Sequence, residues 1–471
     1  MRYISTRGAE LGSFCDVLLQ GLAPDGGLAM PETIPQFSLA DIDALHDKPY
    51  AQIAYTVMRP YISDISEQNL ANILINTYTA ERFRNQEITP LSRLGSSNIF
   101  LLELSNGPSL AFKDVAMQFL ASCFEFVLNE RKTRLNILGA TSGDTGSAAE
   151  YAVLGKKNLN IFMLSPLGRM SPFQQAQMYS LNAPNVFNLA VQGVFDDCQD
   201  LVKAVNRDAA FKEKYAIGAV NSINWARILA QSVYYFKAYL SLGITTGEQV
   251  DFCVPSGNFG NIFAGYLAKR MGLPIRNLIV ASNENDVLAE FFLEGNYRVR
   301  AASEVVATSS PSMDIGKASN FERYLYLILG ENPMQIAAMQ GQLNHGGVLN
   351  FVPNTQFASV VEQSGLLAGR SHHQNRIETI RQVYQGCGRI IDPHTADGVF
   401  VAQRYLRDNT PMICLETALP AKFSATVQEA IGVEPPRPPE FIDIENKPRF
   451  GSVIGNSLDE LKAFISKTLA Y

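Results

Sequence analysis

Several features that would assign the sequence to a special class are missing from its 471 residues. The six cysteines are spread singly without a Cys-x-x-Cys pair, which favours reduced thiols over a disulfide framework or a zinc site. Basic residues are not in excess, and a net charge of −6 argues against non-specific binding to nucleic acid or to acidic membrane surfaces. Internal repeats and low-complexity tracts are also absent.

Long apolar runs are scarce as well. The longest apolar helical stretch, 223–244, is interrupted by Arg227 and Lys237, so we expect no membrane span. The first eight residues lack the apolar core of a signal peptide, which together with the unpaired cysteines predicts a cytoplasmic location. His372 and His373 have no carboxylate or cysteine at ligand spacing, so no metal site is predicted.

What is present is a pattern of short apolar runs alternating with helical stretches. Runs at 135–138 and 160–164 flank one helix, and runs at 250–254 and 278–281 flank another. Such units predict an α/β fold with parallel sheets covered by helices on both faces. We expect four segments: an N-terminal helical extension (1–90), one α/β domain (91–240), a second α/β domain (241–430), and a C-terminal tail with a helix (431–471).

Each of the two units carries a glycine-containing loop between its first strand and its helix. The loops are 141–146, Thr-Ser-Gly-Asp-Thr-Gly, and 256–261, Ser-Gly-Asn-Phe-Gly-Asn. A strand that turns tightly into a helix leaves backbone N–H groups unpaired, and these groups and the helix dipole form an anion site. Neither loop fits Gly-x-Gly-x-x-Gly, which argues against a dinucleotide-dependent dehydrogenase.

Lys113 is the candidate for a covalent bond to a cofactor. It follows the apolar residues 110–112 and precedes a predicted helix, 114–128, with Asp114 as its N-cap. An imine requires an uncharged amine, and partial desolvation lowers the pKa of a lysine. A lone lysine at a helix start is most often a surface residue. A lysine beside two anion loops, however, is what a pyridoxal phosphate site requires.

The two loops have different predicted ligands. The second would hold the cofactor phosphate with Ser256, Gly257, Asn258, Phe259, Gly260 and Asn261. The first would bind the α-carboxylate of a substrate with Thr141, Ser142, Gly143, Asp144 and Thr145. Asp144 is unfavourable there because an ionised carboxylate repels another anion. It either turns away to cap the helix or stays protonated, and both alternatives remain open from the sequence.

Thr395, in Asp-Pro-His-Thr at 392–395, has two interpretations of equal weight. It is either the N-cap of the following helix or a hydroxyl that hydrogen-bonds to the pyridine nitrogen of the cofactor. A hydroxyl partner would leave that nitrogen largely unprotonated and would moderate the ring as an electron sink.

Taken together, these segments resemble threonine synthases, pyridoxal phosphate enzymes of fold type II with a tryptophan synthase β-like architecture. The resemblance is collinear and covers nearly the whole chain. It implies that Lys113 forms the imine, that 257–260 cradle the cofactor phosphate, that Thr395 faces the pyridine nitrogen and that 142–145 hold the substrate carboxylate. The other matching segments are 3–8, 22–28, 221–227, 319–323 and 392–396.

The resemblance also implies a reaction: O-phospho-L-homoserine and water become L-threonine and phosphate by γ-elimination and β-hydration. The enzyme would be a monomer or homodimer. Arg227, Lys317 and Arg323 are the candidates for a clamp on the substrate phosphate, with surface ion pairing as the alternative for each. The matching segment 221–227 adds Asn224 to the expected substrate site.

Two positions depart from the family pattern. Ala29 replaces a usual aromatic residue, and Asn261 stands where aspartate is frequent; both affect substrate fit without removing a catalytic group. The nearest alternative is a phospholyase that expels phosphate and hydrolyses the intermediate to a 2-oxo acid and ammonia. A catalytically silent binding protein is disfavoured, because it would not need an imine-forming lysine.

Overall fold

The computed structural model describes residues 1–351, 355–407 and 409–469, so the last two residues of the 431–471 segment lie outside the described part. In chain order, its strands are β1 (Tyr3–Ser5), β2 (Glu10–Gly12), β3 (Ala29–Pro31), β4 (Leu91–Arg93), β5 (Ile99–Glu103), β6 (Leu135–Ala140), β7 (Leu159–Pro166), β8 (Val186–Val191), β9 (Ile217–Gly218), β10 (Val250–Pro255), β11 (Ile275–Ser282), β12 (Asn296–Arg298), β13 (Val348–Asn350), β14 (Leu366–Arg370), β15 (Met412–Glu416) and β16 (Ser452–Ile454).

The α-helices are α1 (Phe14–Gln20), α2 (Leu39–Asp43), α3 (Tyr50–Met58), α4 (Glu67–Thr77), α5 (Ala80–Phe83), α6 (Lys113–Arg131), α7 (Asp144–Val153), α8 (Pro172–Tyr179), α9 (Phe195–Arg207), α10 (Ala209–Lys214), α11 (Trp225–Ser241), α12 (Gly260–Arg270), α13 (Val287–Glu294), α14 (Phe321–Ile328), α15 (Pro333–Asn344), α16 (Thr355–Ser364), α17 (His373–Cys387), α18 (Pro393–Tyr405), α19 (Ser424–Ile431) and α20 (Leu458–Thr468). In the described part of the chain, no helix has both the length and the apolar character needed to cross a membrane.

Two large sheets form the frame, which confirms the α/β prediction. One has the order β16-β8-β7-β6-β9 with parallel pairs throughout, and the other has the order β14-β11-β10-β15-β5-β4 with only β4 antiparallel to its neighbour. The central strands are buried on both faces, as helix-covered parallel sheets require. β5 and β4 join the sheet of β10 although they precede β6 in the chain, a pairing that local apolar patterns do not encode.

The first ninety residues contain α1 to α5, but they also contain a small antiparallel sheet of order β2-β1-β3 that the helical pattern did not indicate. This region packs against the buried helix α11. The ring of Trp225 lies 6.0 Å from the ring of Tyr3 and 5.9 Å from that of Tyr61. The extension therefore covers the helix that enters the site described below.

The predicted N-cap of α6 is wrong. Phe112 already has helical dihedral angles, so the helix begins at Lys113 and Asp114 lies inside its first turn. The Asp114 carboxylate instead accepts hydrogen bonds from the backbone N–H and the hydroxyl of Ser109, both at 2.8 Å. This contact folds the preceding loop back onto the helix and fixes Lys113 as the first helical residue.

Candidate active site

Lys113 and both predicted anion loops open onto one cleft of about 690 Å³, its open mouth included. The cleft lies where the carboxyl ends of β6, β10 and β15 approach each other, the usual position of ligands in open α/β sheets. Among the described residues its lining comprises Phe112, Lys113, Asp144, Thr145, Ser222, Arg227, Gln231, Pro255, Ser256, Gly257, Asn258, Phe259, Gly260, Asn261, Ser312, Met313, His394, Thr417 and Ala418.

Lys113 is 9% exposed, and its amine faces this cleft. Burial lowers its pKa to about 8, although the neighbouring carboxylate of Asp144 acts in the opposite direction. The Nζ atom lies 3.9 Å from Oδ2 of Asp144, beyond hydrogen-bond distance. An amine in this setting loses its proton near pH 8 rather than near pH 10.5, which favours the uncharged form that imine formation requires.

The loop after β10 forms an anion cradle at the start of α12. Among the described residues, no group accepts a hydrogen bond from the backbone N–H groups of 257–261. Phe259 has a left-handed φ of 61°, and its ring is held by packing at 5.3 Å from Phe321 and 5.7 Å from Tyr324. A Cβ on Gly257 would lie 3.0 Å from the backbone of Met313, so only glycine fits without movement.

Asn320 braces this cradle from outside. Its backbone N–H donates to the Asn258 carbonyl at 3.0 Å, and its side-chain amide donates to the carbonyls of Asn258 and Ser222. The Ser319 hydroxyl adds a bond of 3.1 Å to the side-chain oxygen of Asn258. The 319–323 segment that matched the family pattern thus positions the loop without entering the cleft.

The loop after β6 is organised internally by Thr141. Its hydroxyl oxygen accepts hydrogen bonds from the backbone N–H groups of Gly143 at 3.0 Å and Gly146 at 2.9 Å, so the side chain is used inside the loop. In the described part of the chain, the N–H groups of Ser142, Asp144 and Thr145 have no acceptor. Unpaired N–H groups at the start of a helix suit an anion, and Asp144 and Thr145 line the cleft.

Asp144 is ionised. Burial alone would raise the pKa of its carboxyl group, but the charges of Lys422 and Lys113 outweigh burial and hold the pKa well below its usual range. Its Oδ1 accepts from Lys422 at 2.8 Å and from Gln174 at 3.1 Å, and its Oδ2 accepts from the Ser312 hydroxyl at 2.8 Å. Neither alternative left open by the sequence is found: the carboxylate is not protonated, and it does not cap α7, whose N-cap is Gly143 without a side-chain hydrogen bond.

Arg227 is the strongest candidate for an anion clamp. It is 4% exposed and lines the cleft, yet its Nε and Nη1 have no hydrogen-bond partner among the described residues. Burial lowers its pKa to about 10, which leaves the guanidinium charged at neutral pH. Among the described residues the Asn261 Nδ2 also has no acceptor, while its Oδ1 accepts from the hydroxyls of Tyr234 and Tyr235. Buried donors without acceptors indicate a ligand.

Of the residues expected at the substrate, Asp144, Thr145 and Arg227 line the described part of the cleft, whereas the others do not: Thr141, Ser142, Gly143, Asn224, Lys317 and Arg323. Asn224 is the N-cap of α11, accepting from the Ala226 N–H and donating to the Leu18 carbonyl at 2.9 Å. Arg323 donates to the carbonyls of Ala29 and Ile223, and Lys317 lies 3.4 Å from Oε1 of Gln340. These side chains join the extension and neighbouring segments to the site's frame.

Thr395 is fully buried behind the cleft. Its hydroxyl donates to Oδ2 of Asp392, and the backbone N–H of Thr417 approaches the hydroxyl oxygen at 3.4 Å. The N-cap of α18 is Asp392, whose side chain accepts from the N–H groups of His394 and Thr395. The first interpretation of Thr395, as the N-cap itself, is therefore wrong.

Several cleft residues were not indicated by the sequence. Gln231 lies one helical turn after Arg227 on α11, and this spacing could have predicted that both side chains face the cleft. Ser312 and His394 meet at the cleft, where Nε2 of His394 accepts from the Ser312 N–H at 3.0 Å. Lys422, buried behind Asp144, lies in Pro-Ala-Lys-Phe at 420–423, which carries no recognisable pattern.

Three protein-family models match the chain in succession. Residues 2–78 match the threonine synthase N terminus, residues 82–341 match the pyridoxal-phosphate dependent enzymes and residues 395–465 match the threonine synthase C-terminal model. A threonine synthase from Methylobacillus glycogenes is 50% identical over 99% of both chains. One from Corynebacterium glutamicum is 48% identical over 100% of this chain and 99% of its own.

Solved structures agree with these matches. The crystal structure of the pyridoxal phosphate-bound threonine synthase from Brucella melitensis superposes with a TM-score of 0.95, at 43% identity and over 100% of both chains. The yeast threonine synthase superposes with a TM-score of 0.92, at 36% identity and over 100% of this chain and 99% of its own.

The cleft and these matches define a pyridoxal phosphate-dependent lyase of fold type II. More narrowly, the chain belongs to the threonine synthase family. Its own residues fit the cofactor. The free N–H groups of 257–261 suit a phosphate, and the amine of Lys113 faces the same cleft.

Proposed function

We propose that this protein converts O-phospho-L-homoserine and water into L-threonine and phosphate. The observation that carries the proposal is a single cleft in which one buried amine faces three separate groups of unpaired donors: the loop after β10, the loop after β6, and Arg227. Three anion-binding groups match the three anions that such a reaction assembles, namely the cofactor phosphate, the substrate carboxylate and the substrate phosphate.

Pyridoxal phosphate, when bound, supplies the electron sink that stabilises a carbanion at the α-carbon of the substrate. Lys113 is the residue that we propose to hold the cofactor covalently and, once released, to move protons between carbon atoms of the substrate. Its lowered pKa of about 8 suits both uses, because a neutral amine is a nucleophile and a base. Residues 257–261 would hold the cofactor phosphate through their free N–H groups, and Ser256, whose own N–H donates to the Ala281 carbonyl, would contribute its hydroxyl.

The loop after β6 would bind the substrate α-carboxylate. The N–H groups of Ser142, Asp144 and Thr145 and the hydroxyls of Ser142 and Thr145 are the donors, while Gly143 permits the backbone to turn and Thr141 holds the turn together. The Asp144 side chain does not repel this ligand strongly, because Lys422 neutralises it from behind.

Arg227 would clamp the substrate phosphate, with Gln231 and Asn261 as neutral donors beside it. A clamp that retains the released phosphate also keeps a proton acceptor close to the water that adds at the β-carbon. Three of the expected residues would affect substrate binding only indirectly, by holding the segments around the cleft in place: Asn224, Lys317 and Arg323. For Thr395 to donate to the pyridine nitrogen, its hydroxyl proton would have to turn away from Asp392.

The remaining expectations are proposals of the same kind. A cytoplasmic location and a monomeric or homodimeric state accompany the proposed reaction. The four-segment division is kept with one adjustment: β4 and β5 contribute to the sheet of the 241–430 segment, and β16 contributes to the sheet of the 91–240 segment.

Mass spectrometry of the products tests the proposal. Purified, cofactor-loaded protein incubated with O-phospho-L-homoserine is expected to yield threonine and phosphate in equal amounts. A Lys113→Ala variant loaded in the same way is the control and should lose turnover. Phosphate with 2-oxobutyrate and ammonia but no threonine would overturn the assignment in favour of the phospholyase.

A further inference from the structure

A second buried lysine lies behind the reactive one. Lys422, in the short 3₁₀ helix Pro420–Phe423, is 2% exposed and is not part of the cleft lining. Its Nζ donates to the Ser109 carbonyl at 2.7 Å, to Oδ1 of Asp144 at 2.8 Å and to Oε1 of Gln177 at 3.2 Å. Three acceptors around one nitrogen match the three donors of an ammonium group, so Lys422 is charged.

Asp144 lies between the two lysines and is bound unequally to them. Its Oδ1 is 2.8 Å from Lys422, whereas its Oδ2 is 3.9 Å from Lys113. Gln174 and Ser312 occupy further acceptor positions of the carboxylate, which fixes its orientation. The Asp144 carboxylate therefore forms a hydrogen-bonded ion pair with Lys422 and makes no hydrogen bond to Lys113.

This asymmetry matters because a carboxylate paired closely with the Lys113 amine would hold a proton on it. We propose that Lys422 is a positioning residue of the active site: by binding Asp144 from behind, it leaves the Lys113 nitrogen free to lose its proton. The inference deepens the proposed function and rests on it, since it concerns the same site. It assigns a role to a residue that does not touch the cleft.

The other charged groups near this set do not replace Lys422. Arg227 from α11 and Asp114 from α6 act on Lys113 in opposite directions, and His394 from α18 faces Asp144. The Nε2 of His394 accepts a hydrogen bond from Ser312, and its Nδ1 lies 2.8 Å from Oδ1 of Asp392. Lys422 is therefore the charged group in hydrogen-bond contact with Asp144 among these neighbours.

A spectroscopic titration of the cofactor-loaded protein tests this role. The visible absorbance of the loaded protein reports whether the nitrogen of Lys113 carries a proton. In Lys422→Met, Asp144 has only Lys113 left as a cationic partner, so the titration midpoint should rise by about one pH unit or more. In Asp144→Asn the midpoint should fall, because Lys113 then loses the nearby carboxylate that favours its charged form.

The double variant Lys422→Met with Asp144→Asn shows whether Lys422 affects the Lys113 nitrogen through Asp144 or directly. If Lys422 acts through Asp144, adding Lys422→Met to Asp144→Asn should leave the midpoint where Asp144→Asn alone puts it. The matched control is Lys462→Met, which removes a lysine 2.6 Å from Asp208 near the surface and should leave the midpoint unchanged. An unshifted midpoint in Lys422→Met would overturn the inference, and so would a double variant whose midpoint lies as far above that of Asp144→Asn as the Lys422→Met midpoint lies above that of the original chain.

Two provisions keep the test decisive. If Lys422→Met does not fold, Lys422→Gln, which removes the charge but keeps a donor for the Ser109 carbonyl, should give the same upward shift, and an unshifted midpoint there would overturn the inference. Because the titration needs no substrate, it gives the same answer whether the product is threonine or a 2-oxo acid. Failure of this inference is therefore distinguishable from failure of the proposed function.

Discussion

At the scale of single residues, burial sets the charge state of the groups in the cleft. It lowers the pKa of Lys113 to about 8 and that of Arg227 to about 10, so one becomes a usable base while the other remains a cation. The difference follows from the ordinary pKa values of the two side chains, since guanidinium starts much higher than ammonium.

Replacing Arg227 with methionine should weaken binding of a phosphonate analogue of the substrate. A hydrogen bond to a charged group contributes about 1.5–3 kcal/mol, so the Kd should rise by about 10- to 100-fold. Isothermal titration of the loaded protein measures this change, and Arg227→Lys, which retains the charge, should recover part of the affinity. Normal analogue binding together with weakened cofactor binding would mean that Arg227 holds the cofactor phosphate instead.

Glu150 should make the protein less stable as pH rises. It is fully buried, and burial raises its pKa from 4.5 to about 8. The folded state therefore holds the proton more tightly than the unfolded state. The resulting stability is present below about pH 4.5 and is lost as pH rises to about 8, by about 1.4 kcal/mol for each pH unit between the two pKa values.

Thermal denaturation of Glu150→Gln at pH 5 and pH 8 measures this contribution. The variant should gain stability over the original chain between the two pH values, because glutamine has no proton to lose. Glu125→Gln, which removes a partner of Lys156 nearer the surface, is the control and should show a much smaller change. Equal pH dependence of the Glu150→Gln variant and the original chain would contradict a raised pKa.

At the scale of elements, the site depends on three junctions at which a strand ends: β6 to α7, β10 to α12, and β15 to the 3₁₀ helix that carries Lys422. Each of the two helix junctions leaves backbone N–H groups facing the cleft. Hydrogen bonds to the Thr141 hydroxyl hold the first junction in shape, and hydrogen bonds from Asn320 hold the second. The third junction supplies a buried cation instead.

Substituting Gly257 with alanine should damage the cofactor cradle while leaving the fold intact. The new Cβ would lie 3.0 Å from the Met313 backbone, so the loop has to move and its N–H groups lose their common direction. We expect cofactor affinity to fall by about tenfold, equivalent to about 1.4 kcal/mol, in a fluorescence titration. The control is Gly386→Ala in α17, where no atom lies within 4 Å. Equal affinities in the two variants would contradict this account of the cradle.

The parts of the site that sequence predicted are those encoded by local pattern. Lys113 and both loops stand at strand-to-helix junctions, and such junctions can be located from apolar periodicity and glycine alone. Lys422 and the pairing of β5 with β15 depend on contacts between residues about three hundred positions apart, for which one sequence carries no signal. Asp114 was misplaced by two positions, because Phe112 already has helical dihedral angles and the Asp114 carboxylate binds Ser109 in the preceding loop, a contact that its sequence position does not reveal.

At the scale of the whole molecule, one short 3₁₀ turn connects the two sides of the cleft. The Pro311–Met313 turn lies between β12 and α14, and its Ser312 hydroxyl donates to Asp144, which follows β6 of the five-stranded sheet. This contact connects the two halves at the mouth of the cleft. A reactive intermediate in such a site requires exclusion of stray water, which favours closure on substrate.

Binding of a phosphonate analogue should therefore make the loaded protein more compact. Small-angle X-ray scattering is expected to show a smaller radius of gyration with the analogue than without it. Arg227→Met at the same analogue concentration is the control and should respond less. Superimposable scattering profiles with and without the analogue would count against a large closure.

The central claim is that phosphate leaves by cleavage of a carbon–oxygen bond and that water then adds to carbon. Turnover of O-phospho-L-homoserine in ¹⁸O-labelled water tests this most directly. The account predicts threonine with one ¹⁸O atom in its hydroxyl group and phosphate with none. Homoserine as the product, with ¹⁸O in the phosphate, would show cleavage of the phosphorus–oxygen bond and would contradict the account.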